Sequence, residues 1–321
     1  MMRWVERLQF RRGRECLSGG TMIASPWKRV TLVALFCCLA FETAGVPAQA
    51  GTLPDGAGAP FSVGTGFDYA SGTYGTDTRT DFLAVPLIVD YYPTDRIDLE
   101  LTIPYVYQSN SATVYGTVMP YRRSGVAGAS TVAGVQNGRF LSGPGSQSSG
   151  SGTIDPDSSQ GGLGDITLTA GYVMVEDAGL LPRLRSTLYL KFPTADRDKG
   201  LGTGEFDAGP GLALSKWLGD WQPFLEGVYV FQGESDLYAT KDYLNYNGGI
   251  GYQISDSFYG AVLAKGATAP ADGSPAPFEG RVKFAWQFMT TTSLEGYFSK
   301  GFSDGSPEVG GGLAVFYTFG Q

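Results

Sequence analysis

The sequence predicts an all-β protein, a transmembrane antiparallel up-and-down β-barrel of about twelve strands. Segments of roughly ten residues alternate polar and apolar side chains, which is typical of strands that face lipid on one side. Only 17% of the residues are charged, against roughly a quarter in an average soluble domain, and 13% are aromatic. No run of about 18 apolar residues is present, which excludes a helical membrane span.

The alternation is clearest in the segment 96–103, where Asp98 and Glu100 fall on one face and Leu99 and Leu101 on the other. Because successive side chains of a strand point to opposite faces, each such segment predicts one strand. The predicted strands cover 61–75, 79–92, 96–109, 162–176, 183–193, 206–218, 221–233, 242–254, 258–267, 279–289, 292–302 and 309–319.

The connections between these strands alternate in length. A soluble β-sandwich would also alternate polar and apolar residues, but it has no reason to alternate short and long connections. Short periplasmic turns opposite longer external loops are the arrangement of an outer-membrane barrel. The short turns are predicted at 93–95, 177–182, 219–220, 255–257 and 290–291, and the longer links at 110–161, 194–205, 234–241, 268–278 and 303–308.

Aromatic residues lie near both ends of the predicted strands, as expected where a barrel crosses the two membrane interfaces. At the short-turn end they are Tyr91, Tyr92, Trp217, Trp221, Trp286 and Phe288; at the other end they are Tyr105, Tyr107, Phe192, Tyr229 and Phe231. Prolines 86, 104, 210 and 223 fall inside predicted strands. Since proline donates no ladder hydrogen bond, each is expected to mark a bulge or a strand end.

The first 50 residues are predicted to be a signal peptide, and residues 51–321 the barrel. Lys28 and Arg29 precede an apolar stretch at 30–41, and Ala48-Gln49-Ala50 supplies a cleavage pattern. An apolar stretch of this length is too short to span a membrane. The arginine-rich residues before Met22 are unusual for a signal peptide, so Met1 and Met22 both remain candidate starts.

Cysteine, histidine and charge exclude several classes of function. Cys16, Cys37 and Cys38 all precede residue 51, and there is no histidine, so cysteine or histidine catalysis, a cofactor and a metal site are not expected. Residues 1–50 hold 7 of the 23 Lys and Arg and 3 of the 31 Asp and Glu, which leaves 16 against 28, a net charge of −12. Such an acidic chain is not expected to bind nucleic acid. A monomer in outer-membrane lipid is favoured.

Two glycine-rich segments call for interpretation. The link 110–161 is predicted to be a long external loop, and the stretch from Gly125 to Gly162, which runs to the start of the next predicted strand, is rich in Gly, Ser and Ala. This part is either a flexible external loop or a segment folded inward to narrow a pore. Gly200-Leu-Gly-Thr-Gly204 resembles a phosphate-binding loop, but it joins two strands and no helix follows, so nucleotide binding is not expected.

Charged side chains on the polar faces of the strands are the candidate lining of a lumen. A barrel interior must be polar and self-neutralising whatever the protein does, and the same charges would bias the passage of ions or solutes if the lumen holds water. The candidates are Asp98, Glu100, Asp165, Arg185, Lys191, Asp207, Glu226, Arg281, Lys283 and Glu295.

The central part of the chain resembles a known family. Gly162-Leu-Gly-Asp-Ile-Thr-Leu168, Leu190-Lys-Phe-Pro-Thr194, the segment 198–204 and Gly209-Pro-Gly-Leu-Ala-Leu-Ser-Lys216 are similar to the outer-membrane transporter family linked to meta-pathway phenol degradation. Tyr92-Pro93, Asp95-Arg96 and Pro104-Tyr105 also fit. A glycine expected after Thr194 is Ala195 here. The resemblance implies an outer-membrane barrel that takes up aromatic or other hydrophobic small molecules.

Three functions remain open at this stage. The first is a passive pore or transporter for small molecules in the bacterial outer membrane. The second is a structural or adhesive barrel that works through its external loops. The third, an enzyme, would need a carboxylate pair such as Asp98 and Glu100, and such pairs at alternate positions of one strand are common in barrels. The pore is the favoured interpretation, and an enzyme is not expected.

Overall fold

All regular secondary structure in the described residues, 61–74, 79–109, 159–235, 240–271 and 273–319 of a computed structural model, is β-strand. Within these ranges no helix is long and apolar enough to span a membrane. The strands are β1 (Phe61–Gly72), β2 (Thr80–Thr94), β3 (Ile97–Gln108), β4 (Gln160–Leu163), β5 (Ile166–Val175), β6 (Arg183–Phe192), β7 (Asp207–Ser215), β8 (Trp221–Val230), β9 (Tyr243–Ser255), β10 (Phe258–Ala267), β11 (Phe278–Met289), β12 (Thr292–Gly301) and β13 (Val309–Phe319).

These strands form one closed antiparallel sheet. Apart from β4 and β5, neighbours along the chain pair with each other, and β1 also pairs with β13, where Phe61 lies opposite Phe319. The four-residue strand β4 and the strand β5 both pair with β3, at different positions along it, so together they fill one of twelve places around the barrel. The predicted transmembrane-type, up-and-down barrel of about twelve strands is confirmed.

The break between β4 and β5 has its cause in β3. Pro104 has no N–H to donate, and neither β4 nor β5 pairs with it. The Gly164 N–H donates to the Pro104 carbonyl at 2.8 Å, and a Cβ on Gly164 would lie 2.9 Å from Pro104 Cγ. Glycine is therefore needed where the chain passes the proline. The prediction of one continuous strand over 162–176 is wrong at Gly164–Asp165.

Each of the four prolines lies beside an interruption in a ladder of its strand. At Pro104 the pairing of β3 shifts by one residue, from Tyr105 opposite Leu163 to Thr102 opposite Thr167, so this proline marks the expected bulge or strand end. Pro210 and Pro223 also fit the expectation, because the β7–β8 ladder ends beside each of them. The expectation is wrong for Pro86, which lies opposite Pro104 inside β2, where the β1–β2 pairing is interrupted without a register shift.

Each strand has a buried inner face and an exposed outer face. In β11, Arg281 and Lys283 are 3% and 7% exposed, whereas Val282 between them is 57% exposed. The same inversion holds around the barrel: many buried side chains are charged, and many exposed ones are Leu, Val, Ile or aromatic. Soluble proteins show the opposite distribution, so the outer surface of this barrel is suited to lipid.

Exposed aromatic side chains occur near both ends of the strands, as the sequence indicated. They include Tyr91, Trp221, Trp286 and Phe288 at the short-turn end and Tyr105, Tyr107, Phe192 and Tyr229 at the other. Trp217 differs, because it packs against the buried residues Tyr259, Ala261 and Ala285, with its ring centroid 6.2 Å from that of Tyr259. The expectation that Trp217 belongs to the outer girdle is wrong.

The two ends of the barrel carry connections of different length. Short turns at 95–96, 176–182, 216–220, 256–257 and 290–291 lie at one end, and the connections β1–β2, β6–β7, β8–β9, β10–β11 and β12–β13 begin and end at the other. Since short turns face the periplasm in bacterial barrels, we call these the periplasmic end and the external end. Residues 1–50, the predicted signal peptide, and most of the predicted loop 110–161 lie outside the described residues.

Candidate functional site

The structure places all ten candidate lining residues on the inner side of the barrel, each no more than 7% exposed. Nine of them lie on strands, and Asp165 lies between β4 and β5. Five further charged side chains on the inner side were not among the candidates: Asp68, Asp90, Arg183, Lys265 and Glu279. Among the described residues the buried charges are thus nine carboxylates against six cations, a net of −3.

In the periplasmic half, Arg185 and Asp98 form a buried bidentate ion pair. The guanidinium donates from Nε and Nη2 to the two carboxylate oxygens at 2.9 and 2.5 Å, and from Nη1 to Thr187 Oγ1 at 2.7 Å. A Cβ on Gly171 would lie 1.8 Å from the guanidinium, so this glycine gives the arginine its space. The pair links β3 to β6 across β5.

At the external end, Lys191 lies fully buried between two carboxylates. Its Nζ is 2.6 Å from Asp207 Oδ2 and 3.7 Å from Asp165 Oδ2. It also donates to Thr203 Oγ1, in the β6–β7 connection, at 2.8 Å. We call Lys191, Asp165, Asp207 and Thr203 the external node. It joins strands β6 and β7 and the start of β5 to an external loop.

A third group joins β10, β11, β12 and β1. Glu279 accepts two hydrogen bonds from the Arg281 guanidinium at 2.9 and 2.5 Å, and Arg281 stacks over the Tyr297 ring at 4.4 Å. The Tyr297 hydroxyl donates to Asp68 Oδ1 at 2.9 Å. Lys265 lies directly opposite Glu279 in the β10–β11 register. Opposite charges thus alternate along this part of the inner wall.

At mid-height, Lys283 interacts electrostatically with three carboxylates from different parts of the ring: Glu295 of β12, Glu100 of β3 and Glu226 of β8. The Asn247 amide also donates to Glu226 at 3.1 Å. The Arg281 guanidinium also acts on the Lys283 ammonium group. Three carboxylates and two cations thus share this zone, and the small excess of negative charge favours cations over anions in any aqueous path that passes it.

The carboxylate pair that an enzyme would need is divided between two of these groups. Asp98 is bound to Arg185, whereas Glu100 interacts with Lys283. The two acids therefore have different partners, and their arrangement is that of structural ion pairs. Among the described residues, no three Cys, Asp or Glu side chains are grouped so as to hold a metal ion.

Not all of the inner wall is polar. Phe82 and Ala84 of β2 and Val106 of β3 form a buried apolar cluster with Ala195 and Leu201, which belong to the β6–β7 connection. That connection therefore folds inward at the external end. The segment for which the sequence leaves an inward fold open, Gly125–Gly162, lies almost entirely outside the described residues.

The outer wall carries an apolar recess of about 660 Å³ that spans β3 to β9. It faces the membrane side, and its lining includes Leu99, Tyr172, Leu188, Pro210 and Leu212. It lies where the β7–β8 ladder skips Pro210, so a locally weaker wall and an apolar recess coincide.

The sequence matches a family model described as "Putative MetA-pathway of phenol degradation" over residues 54–319. The chain belongs to this family. No curated protein matches it significantly. Among solved structures, the outer-membrane channel of the COG4313 group from Pseudomonas putida F1 is similar, with 18% identity, a TM-score of 0.56 and coverage of 85% of this chain and 99% of the channel.

Two other barrels align less well. The KdgM porin has 8% identity and a TM-score of 0.44, covering 80% of this chain and 98% of the porin. The CymD monoaromatic hydrocarbon channel has 10% identity and a TM-score of 0.39, covering 81% of this chain and 88% of that channel. Family membership and a closed barrel with an apolar outer surface indicate a protein of the bacterial outer membrane.

Proposed function

We propose that this protein is a passive outer-membrane pore for small molecules, and that uncharged aromatic or hydrophobic compounds are among its solutes. The observation that carries the proposal is the inverted barrel, apolar outside and charged inside, in a chain of the phenol-degradation family. The likeness to a COG4313 channel supports the fold. The ten candidate lining residues are the proposed walls of the path.

The buried charges define the expected ion preference. The net of −3 on the inner side, and the excess of carboxylates over cations around Lys283 and Arg281, favour cations modestly. Most of these charges have close partners of opposite sign, and salt screens the remainder within about 10 Å at 0.1 M. The proposed pore therefore has a small conductance and a weak cation preference that declines as ionic strength rises.

Planar-bilayer recording tests the proposal. Purified folded protein should give single-channel steps, and a salt gradient should give a reversal potential on the cation side. Swelling of protein-loaded vesicles in solutions of uncharged solutes then gives the size limit. Folded protein that neither conducts nor speeds swelling would contradict the pore.

A structural or adhesive role through the external loops is the second candidate. It is favoured by the hydrogen bonds that join neighbouring external loops in the described residues, such as Ser235 to the Thr203 carbonyl at 3.2 Å. Loops joined in this way present a defined outer surface. Absence of conductance together with specific retention of cells on a coated surface would support this role instead.

A further inference from the structure

The β6–β7 connection, residues 193–206, is a loop ordered by its own hydrogen bonds. We call it the inner loop. Asp196 organises it by accepting hydrogen bonds from the N–H groups of Asp198 and Lys199 through its side chain and from the Leu201 N–H through its carbonyl at 3.1 Å. Gly200 has a φ of 69°, a conformation that favours glycine. The glycine-rich motif therefore shapes this loop.

Contacts with the barrel hold the inner loop in the external mouth. The Ala195 N–H donates to Asp165 Oδ1 at 3.0 Å, and Thr203 Oγ1 accepts from Lys191 at 2.8 Å. Gly202 lies so close to Asp165 that a Cβ there would meet the carboxylate at 2.8 Å. The external node thus fixes the inner loop on both sides of Leu201, and the leucine lies over β4 toward strands β2 and β3.

Leu201 reaches an apolar patch on strands β2 and β3. Phe82, Ala84 and Val106 form this patch, and each is at most 3% exposed. Leu201 itself is 8% exposed. A Cβ on Gly162 of β4 would lie 3.0 Å from Leu201 Cδ1, so the glycine leaves room for the leucine. The loop thus extends from β6 over β4 and β5 to reach β3 and β2.

The patch is one of four buried apolar clusters in the described residues, and it is the one to which an external loop contributes. An apolar group bound there leaves water without separating any of the charged pairs. Gln108 adds a polar group at its edge, because it lies opposite Phe82 in the β2–β3 register and its Nε2 is 3.7 Å from the Cβ position of Gly200. An amide next to an apolar patch suits a ring that carries a hydrogen-bonding group.

We propose that this patch is a binding subsite for a small, uncharged aromatic molecule with a hydroxyl or similar group, and that Leu201 occupies it as an internal competitor. The subsite rests on the proposed pore function and names the place where the solute is held. A solute displaces Leu201, and the part of the inner loop between its two fixed sides moves away from β2 and β3. The leucine returns once the solute has left.

Removing the competitor tests the subsite. Leu201→Ala leaves Phe82, Ala84 and Val106 in place and removes most of the side chain that covers them. The affinity for phenol, used as the probe, should therefore rise about tenfold or more, which corresponds to the free energy of burying a leucine side chain. Titration calorimetry on folded protein in detergent measures this without any need for conductance. Benzoate, a charged ring, should bind no better to the variant.

Two matched variants control for side effects. Leu180→Ala is the same substitution at a residue 98% exposed in a periplasmic turn, and it should leave phenol affinity unchanged. Leu201→Met keeps an apolar side chain and should resemble the wild type. The heat-dependent gel mobility of each variant reports whether the barrel has folded.

The outcomes separate the two proposals. Unchanged phenol affinity in folded Leu201→Ala would overturn the subsite, even if conductance rises. Increased affinity with no conductance in any form would keep the subsite and contradict the pore. Equal increases in Leu201→Ala and Leu180→Ala would also overturn it, because the effect would not then depend on the patch.

Discussion

The two ends of the barrel stabilise themselves in different ways. At the external end, successive loops bond to each other: Ser235 donates to the Thr203 carbonyl at 3.2 Å and Gln232 Nε2 to the Pro270 carbonyl at 2.7 Å. Further links run from Phe278 N to Ser303 Oγ at 2.8 Å and from Arg79 to Glu308. The loops of the described residues thus form a connected rim.

At the periplasmic end the turns mostly close on themselves. Ala178 pairs with Leu181 and Leu218 with Trp221, each within one short turn. Asp177 and Lys216 join two neighbouring turns, and other turns accept ladder hydrogen bonds from a neighbouring strand, such as the Gln253 N–H to the Asp220 carbonyl at 2.8 Å. The periplasmic turns are therefore stabilised mainly by backbone hydrogen bonds of the ladder type. At the external end, side chains join one loop to the next.

The largest effect is expected from removing the central cation of the external node. Lys191→Met leaves Asp165 and Asp207 buried without it, which should lower the free energy of unfolding by about 3–5 kcal/mol. Arg185→Met, in the periplasmic half, leaves one carboxylate, Asp98, and should cost no more than Lys191→Met. Urea titrations in lipid vesicles measure both. A Lys191→Met variant as stable as the wild type would show that the node does not hold the external end.

The wall between the two ends provides the next test. Val282 faces the membrane in mid-strand, and Val282→Arg should cost about 2–4 kcal/mol because an arginine is forced into hydrocarbon. Val282→Leu, which keeps an apolar side chain, is the matched control and should change little. The same vesicle titrations apply. Equal stability of the two variants would place Val282 outside the hydrocarbon zone.

A smaller, pH-dependent effect is expected at the periplasmic end. Asp177 accepts hydrogen bonds from Lys216 Nζ and from the Trp217 N–H at 2.7 Å. Partial burial acts to raise the pKa of Asp177, but these hydrogen bonds outweigh it and hold the pKa below its ordinary value. The resulting stabilisation is present above the unfolded pKa of about 4 and is lost as pH falls through the lower folded pKa.

Asp177→Asn should therefore cost about 1 kcal/mol or less at pH 7, as for other partly exposed pairs, and nothing at strongly acidic pH. Unfolding titrations of wild type and variant over a pH series give the difference. Asp256→Asn, in another periplasmic turn, serves as the control. A difference that grows as pH falls would contradict the assigned direction of the pKa shift.

The smallest effect is expected at the external rim pair Arg79–Glu308, whose side chains are 53% and 44% exposed. Glu308→Gln should cost about 0.2–1 kcal/mol, and about 1 M salt should remove most of that difference. The test compares wild type and variant at two salt concentrations. A salt-independent loss would mean that Glu308 supports the rim by packing and not by charge.

The strands could be predicted from sequence because one physical rule governs all of them. A strand between lipid and a polar interior must alternate apolar and polar side chains. This alternation correctly places four charged residues on the inner face: Asp98, Glu100, Arg281 and Lys283. The rule fails where the inner face is itself apolar. Lys265 was missed because the other inward residues of β10 are apolar or aromatic.

Contacts between residues far apart in the chain could not be predicted from the sequence, for a different reason. Leu201 packs on Phe82 and Val106, and nothing in the local pattern of residues 193–206 indicates strands so far away along the chain. The break at Gly164–Asp165 depends likewise on Pro104 of a neighbouring strand. The contacts of Leu201 and the break at Gly164–Asp165 depend on which strands lie side by side. The alternation of side chains within one strand gives no information about its neighbours.

The pairing of β1 with β13 places the first and last strands side by side, which permits circular permutation of the chain. The rings of Phe61 and Phe319 stack with their centroids 4.5 Å apart, so the two edges of the sheet meet at the periplasmic end. A linker joining residue 319 to residue 61, with a new opening at Thr290–Thr291, would preserve every ladder. The chain termini could therefore lie at another turn without any change in strand pairing. A circularly permuted chain should fold to the same barrel.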